Sequence, residues 1–241
     1  MRRDIGKPLA VWRRSPPRLI DVASSKDSGG GGDARRRSRA EKKEETRQAL
    51  LDTTIELVDE RSFGSLSLRE VSRGAGIVPT AFYRHFASME DLGVTLVEDS
   101  MRVLRRALRE GRRDLAKSGM PSARESLDIL FRHVRSDEAK FRFLIREQHG
   151  GVSEVRRAIN TELRLFSREL AIDLARVPAL VSWEADDLET AADLFVTIMM
   201  TAVADLLDGD GRPGAADQLI RRAERQLVMV ILGMGQWKTD D

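Results

Sequence analysis

One short stretch of the chain decides the fold: residues 67–86 read SLREVSRGAGIVPTAFYRHF. Ser67 stands three residues before Glu70, which is the spacing of a capping box at the start of a helix. A Gly-Ala-Gly triplet then ends that helix. Pro79 suits the first turn of the next helix, because the amide that proline lacks would be unpaired there. The stretch therefore predicts two short helices joined by a glycine turn, at residues 68–73 and 79–85.

The apolar residues of this stretch can form a small core and leave one side of the second helix exposed. Those residues are Leu68, Val71, Ala75, Ile77, Phe82 and Phe86. In a helix-turn-helix the second helix enters the major groove of DNA with its N-terminal residues at the base edges. The pattern therefore predicts a DNA-binding unit.

Candidate DNA contacts follow from side-chain chemistry and position. Thr80 and Ala81 are short side chains near the start of the second helix and can meet base edges and thymine methyls. Tyr83, Arg84 and His85 suit phosphate oxygens better, and we assign them to positioning. Tyr83 and His85 taken alone could also be a helix cap and a core imidazole. The candidate set is completed by a residue at the start of the motif, Ser67.

The rest of the chain has helical periodicity and no segment that alternates like a strand. Apolar residues recur at helical spacing from Glu41 to Ser62, and a long amphipathic stripe runs from Ser88 to Arg113. Glycine and proline clusters then separate four or five further helices. We expect an all-α protein of about nine helices: a disordered basic arm (1–40), a three-helix DNA-binding domain (41–91), and a larger ligand-binding and dimerisation domain (92–236).

Composition limits the classes of protein that are possible. The chain of 241 residues has no cysteine and three histidines, so neither a disulfide framework nor a thiolate metal site is possible, and a metal site is not expected. We see no nucleophile elbow, phosphate loop or paired-histidine zinc helix, so the sequence predicts neither an enzyme nor a bound cofactor. No apolar run approaches the roughly 20 residues of a membrane span, and the N-terminus lacks a secretory core. We expect a soluble, cytoplasmic protein.

The N-terminal tail is strongly basic. Residues 1–39 carry 11 Lys and Arg against 4 Asp, whereas the whole chain has a net charge of only +2. Such a segment attracts polyanions, and DNA and an anionic membrane surface both qualify. A solubilising tail is an equally good interpretation of its basic cluster. The candidate phosphate or minor-groove contacts in it are Arg35, Arg36, Arg37 and Arg39.

The residues quoted above resemble the signature of the TetR family of regulators. The resemblance covers about Thr46 to Leu96 and is carried by residues 67–86 and 88–92. Val78 departs from the Ser or Thr cap that is usual in the family, and Thr80 departs from its frequent glycine. The resemblance implies a ligand-responsive transcriptional regulator, most often a repressor, that binds a palindromic DNA operator as a homodimer.

A second, weaker resemblance concerns one branch of this family. Residues 79–86, Leu92-Gly93 and residues 141–147 are similar to regulators that repress unsaturated fatty acid synthesis. This resemblance implies a long-chain acyl-CoA effector. Candidate residues for an apolar cavity are Phe131, Phe141, Leu144, Ile145, Phe166, Phe195 and Met199, with Arg146 among the arginines that could meet a charged head group. For any single one of the apolar residues, ordinary core packing is the better expectation.

Two copies of the helix-turn-helix are needed for useful affinity, since one unit reads only a few base pairs. We predict that the apolar stripes of the last two helices, at 187–207 and 215–234, pair with their copies in a homodimer. The main rival is a helical membrane-surface or protein-interaction module whose basic arm binds anionic lipid. A small acyl-thioester enzyme is a third reading, for which the sequence offers no nucleophile or base.

Overall fold

The computed structural model describes residues 31–112, 123–209, 212 and 214–237, without the side chains of residues 31–37 and 107–112. In this part of the chain it contains nine α-helices, two 3₁₀ turns and no strand, which confirms the predicted all-α class. The helices are α1 (Gly31–Glu60), α2 (Leu68–Gly74), α3 (Pro79–Phe82), α4 (Met89–Arg112), α5 (Ala123–Ser136), α6 (Glu138–Glu147), α7 (Ser153–Leu174), α8 (Ala185–Leu207) and α9 (Ala215–Met234). The 3₁₀ turns are Phe63–Ser65 and Pro178–Leu180.

The chain divides into two compact units, residues 1–41 and residues 42–241. Of the first unit the structure describes only residues 31–41, and these are helical. The predicted disorder of residues 31–40 is therefore wrong, and α1 begins at Gly31 instead of at Glu41. The missing apolar periodicity argues against a packed face but does not exclude a helix, because the arginines and alanines of residues 34–40 favour helix. Residues 1–30 lie outside the described part, and the predicted domain boundaries stay predictions.

The helix-turn-helix forms as predicted, with its first helix capped by Ser67. The Ser67 hydroxyl accepts a hydrogen bond from the backbone N–H of Glu70 at 3.3 Å. The turn contains Gly76 at φ +70°, a left-handed conformation that glycine adopts without a steric penalty. A Cβ at Gly74 would clash with the methyl group of Thr53, so glycine also allows α2 to approach α1 closely.

The second helix of the motif is shorter than predicted. α3 ends at Phe82, and the residues up to His85 form a tighter turn in which the N–H of His85 donates to the carbonyl of Phe82 at 2.9 Å. Bonds of this i to i+3 type commonly tighten the end of a helix. The predicted small core is confirmed, since Val71, Phe82 and Phe86 are buried and the other three apolar residues pack against them.

The larger part of the second unit packs around α4 and α8. α4 contacts α5, α6 and α7, and α8 contacts α5, α6, α7 and α9. α8 is long and apolar enough to cross a membrane by length and composition alone. A single helix of this kind is weak evidence for a membrane span, and this one packs against four other helices of the protein.

The end of α6 anchors the end of α1. The Arg146 guanidinium donates to the carbonyl oxygens of Val58 and Asp59 at 2.6 and 3.1 Å, and these carbonyls lie in the last turn of α1. The buried Glu147 carboxylate accepts the backbone N–H of Phe63 at 2.8 Å. This anchor joins the end of α1 and the turn that follows it to the end of α6.

Candidate functional site

The exposed surface of the helix-turn-helix carries most of the predicted DNA contacts. Thr80, Tyr83 and Arg84 are exposed, Tyr83 to 64%, and Ala81 is half-buried at the side of α3. Pro79 occupies the first turn of α3, and no side chain caps its start. The start of α3 therefore presents short side chains, and the turn after it presents a phenol and a guanidinium.

Two buried phenylalanines hold this surface in place. Phe82 is fully buried, and its ring lies 5.8 Å from the rings of both Phe86 and Tyr83, measured between centroids. The contact with Tyr83 is edge-on. The Tyr83 ring therefore packs against the buried Phe82 ring, while most of the Tyr83 side chain remains exposed to solvent.

Of the remaining candidate DNA contacts, the structure describes the side chains of Ser67 and Arg39. Ser67 is exposed and uses its hydroxyl as a cap acceptor, and its proton remains able to donate to a phosphate oxygen. Arg39 is an exposed residue of α1. The side chains of Arg35, Arg36 and Arg37 lie outside the described residues.

The Glu70 carboxylate holds the loop between α1 and α2. It forms an ion pair with Arg61, and this pair is the main reason that the pKa of Glu70 is lowered. A hydrogen bond from the backbone amide of Ser67 lowers the pKa further. Glu70 thus completes the capping box and also tethers the residue that follows α1.

His85 lies at the border between the exposed surface and the small core. It is half-buried, and its Nδ1 is buried without a hydrogen-bond partner. Burial lowers the pKa of His85 below 6.5, and the nearby cations Lys43, Arg84 and Arg47 lower it further, against a smaller opposite effect of Glu44. The folded protein therefore favours the neutral imidazole.

The lowered pKa of His85 predicts that stability falls as the solution becomes acidic. Below about pH 6.5 the unfolded chain takes up the His85 proton before the folded chain does, so the free energy of unfolding decreases as pH falls from 7 towards 5.5. Urea unfolding at several pH values measures this, and His85→Gln should flatten the curve in that window. Parallel curves for the two proteins would show that His85 is not the source.

A cleft of about 650 Å³ lies between the end of α6 and the facing sides of α7 and α8. Its walls are mixed in polarity. They include Ile145, Gln148 and His149 near the end of α6, Asn160, Leu163, Arg164 and Ser167 on α7, and Asp193, Val196, Thr197, Met200, Thr201 and Ala204 on α8. This volume lies in the range of small-molecule sites in proteins.

The inner wall of the cleft separates it from a small apolar void. Leu163, Val196 and Met200 line the cleft and also line a void of about 10 Å³. Phe166 and Met199, with Leu104 and Leu130, form the rest of that void. Methionine side chains have three rotatable bonds and adapt to irregular space, so this wall can rearrange more easily than one of branched residues.

The structure brings together only some of the predicted effector residues. Ile145 lines the cleft, and Phe166 and Met199 line the void behind it. The other apolar candidates are packed in the core and line neither space: Phe131, Phe141, Leu144 and Phe195. The Arg146 guanidinium donates hydrogen bonds to the end of α1 and does not line the cleft.

Several polar residues of the cleft were missed by the sequence analysis. Asn160, Arg164 and Ser167 follow one another at helical spacing on α7, and Thr197 and Thr201 do so on the otherwise apolar α8. A stripe of polar residues along an apolar helix is the signal that could have located this wall.

Two family models match the chain. The model of bacterial regulatory proteins of the tetR family matches residues 50–93, and the model of tetracyclin repressor-like C-terminal domains matches residues 122–232. The first match covers the helix-turn-helix and the start of α4, and the second runs from α5 to near the end of α9. Together they account for most of the described chain.

Solved structures have the same fold at low sequence identity. GusR from Salmonella enterica is 20% identical over 80% of this chain and 96% of its own, with a TM-score of 0.61. FadR from Bacillus subtilis, in complex with stearoyl-CoA, is 16% identical over 77% of this chain and 98% of its own, with a TM-score of 0.58. FadR from Bacillus halodurans, a fatty acid degradation regulator, is 13% identical over 75% and 93%, with a TM-score of 0.57.

The local geometry and the two family matches lead to the same conclusion. A capped helix, a glycine turn and an exposed recognition surface are followed by a helical domain with a cleft, in the order that the two models prescribe. Proteins of this kind are non-enzymatic regulators with a DNA-binding and a ligand-binding domain. The chain belongs to the TetR family and is a TetR-type transcriptional regulator.

Proposed function

We propose that the protein is a repressor that binds a palindromic operator as a homodimer and changes its operator affinity when an amphipathic small molecule enters the cleft. The observation that carries this proposal is the exposed surface of Thr80, Tyr83 and Arg84 on a rigid core of phenylalanines. Two such surfaces spaced one DNA turn apart, about 34 Å, would read two half-sites.

An exposed apolar side of α9 supports the dimer. Met229 and Leu232 are 69% and 67% exposed, and Val228 and Ile231 are each 41% exposed. Leu194 of the neighbouring α8 is 47% exposed. Apolar side chains grouped on adjacent helices are typical of a surface covered by a second subunit. The homodimer is therefore proposed through α8 and α9.

The cleft and the void behind it support an amphipathic effector. Arg164, Asn160 and Thr197 offer hydrogen bonds to a polar head group, whereas Leu163 and Met200 offer an apolar wall behind it. A chain that displaces Met200 in this wall and Met199 in the void behind it would join the cleft to the void. Entry of a ligand would thus change the packing between α7 and α8, which is the differential contact that linkage requires.

Long-chain acyl-CoA esters are the effector class we propose first. The resemblance of residues 79–86 and 141–147 to fatty acid regulators supports this class, and FadR from Bacillus subtilis binds stearoyl-CoA. In this chain the apolar space behind the cleft is only about 10 Å³, so an acyl chain would have to open it. The proposal therefore includes a rearrangement at Met199 and Met200.

The test is operator binding measured by fluorescence anisotropy, with and without a panel of acyl-CoA esters. The duplexes come from the protein's own promoter and from selection out of random DNA, each measured at two salt concentrations. Specific binding whose affinity changes with one ester supports both the operator-binding regulator and the acyl-CoA effector. Specific binding that no ester changes retains the regulator and rejects acyl-CoA, and weak, sequence-blind binding favours the membrane-surface rival.

Tyr83→Ala is expected to weaken operator binding about tenfold, because one charge-assisted hydrogen bond to phosphate is worth roughly 1.4 kcal/mol. Tyr83→Phe separates the hydroxyl from the ring, since it keeps the contact with Phe82 and loses only the hydrogen bond. Binding of both variants is measured on the selected duplex. Wild-type affinity in both would remove Tyr83 from the interface.

A further inference from the structure

A group of basic residues from two different elements meets at the edge of the helix-turn-helix. The Arg47 guanidinium of α1 lies 5.0 Å from the centre of the Phe86 ring. Phe86 directly follows Arg84 and His85 in the chain. Lys43 precedes Arg47 by four residues on α1, so both lie on the same face of that helix, one turn apart. Lys43 and Arg84 are exposed, and Arg47 is half-buried.

The cations in this group share one neighbour, His85. The positive charges of Lys43, Arg84 and Arg47 all act on the His85 imidazole, and Arg47 lies against the ring of the next residue, Phe86. Glu44 opposes them only in part, because its contact with Arg47 is a loose 3.9 Å at an exposed site. Like charges gathered without full neutralisation cost free energy in the free protein and produce a local positive potential that favours an anion.

The position of the group relative to the recognition surface indicates which anion. Tyr83, the exposed neighbour of Arg84, directly follows α3, and the start of α3 carries the candidate base contacts Thr80 and Ala81. A side chain beside a recognition helix meets the sugar-phosphate backbone that borders the major groove. Arginine and lysine at this place are suited to phosphate oxygens.

We propose that Lys43 and Arg47 of α1 join Arg84 and His85 in a seat for one backbone phosphate of the operator. The inference rests on the proposed DNA-binding function and extends it to two further residues of α1, Lys43 and Arg47, which were not among the predicted contacts. Arg47 is held over Phe86, so this cation is already positioned before DNA arrives. Lys43 supplies a second, more exposed charge one helical turn away.

Lys43→Gln tests the seat, with Lys42→Gln as the matched control. Both lysines are exposed on α1, but they are one residue apart and therefore point about 100° away from each other around the helix axis. Binding to the selected operator and to an unrelated duplex is measured from 0.05 to 0.3 M salt. Lys43→Gln is expected to lower the salt slope by about 0.9 and the affinity about fivefold at 0.15 M salt, on both duplexes. Lys42→Gln is expected to bind like the wild type.

Arg47 is tested by a pair of substitutions, since its contact with Phe86 also serves the fold. Arg47→Lys retains the charge and should retain the salt slope of binding. Arg47→Gln should lower that slope by about 0.9, the value for one phosphate contact. Thermal unfolding of each variant detects any loss of the fold separately. Equal slopes for Lys43→Gln, Lys42→Gln and the wild type on a specific operator would overturn the seat and leave the regulator intact. Failure of the wild type to select any duplex would overturn the proposed function itself and the seat with it.

Discussion

Met229→Glu combined with Leu232→Glu on α9 is expected to produce a folded monomer that binds the operator at least about a hundredfold more weakly. Both side chains are more than two-thirds exposed in one subunit, so the charges should cost little within it. In a dimer the same charges would be buried in an apolar contact and would face their own copies, which costs several kcal/mol. A monomer reads only one half-site and loses most of the specific affinity. Light scattering coupled to gel filtration gives the mass, and anisotropy gives the affinity.

Ile172→Glu is the control for the double substitution. Ile172 is an apolar residue of α7 that is 57% exposed, outside the two helices to which we assign the dimer. It should therefore leave both the mass and the operator affinity unchanged. If Ile172→Glu were the variant that gave a monomer, the dimer would involve α7, and the assignment to α8 and α9 would be wrong.

Glu147→Ala is expected to lower the free energy of unfolding by about 3 kcal/mol. Glu147 is 1% exposed, and its Oε1 is the acceptor for the buried N–H of Phe63. Removing an acceptor from a buried donor costs roughly 1–3 kcal/mol, and the space left by the side chain adds to this. Urea unfolding followed by circular dichroism measures the loss.

Glu147→Gln distinguishes the hydrogen bond from the packing. The amide oxygen can still accept from Phe63, and the amide nitrogen takes the place of Oε2, which is buried and has no partner. We expect this variant to lose less than half of what Glu147→Ala loses. Equal losses would mean that the carboxylate's charge, and not its acceptor oxygen, holds the turn at 63–65.

The helix-turn-helix was predictable because its signals are local. Ser67 as a cap, a glycine in the left-handed conformation and a proline in the first turn of α3 each act within a few residues of their own position. Periodicity also located the boundaries of α8 and α9 to within about two residues. The start of α1 was missed because charged helix formers without an apolar stripe can be helical or disordered, and the stripe was the only signal used.

The effector residues could not be located from sequence for a different reason. Phe141 and Met199 are both apolar residues at helical spacing, yet one is packed in the core and the other lines a void. The difference depends on how α6, α7 and α8 pack against one another, which no window of sequence contains. The contacts of Arg146 could not be predicted for the same reason, since its partners Val58 and Asp59 lie 88 and 87 residues away along the chain.

The last turn of α6 has consequences for redesigning the protein as a sensor. Ile145 and Gln148 form part of the cleft wall, while Arg146 and Glu147, between them in sequence, hold the end of α1 and the turn at Phe63. A library that varies residues 145–148 would therefore mix altered ligand choice with altered DNA release. Asn160, Arg164 and Thr197 line the cleft and take no part in this anchor, so selections for a new effector should begin at these three residues.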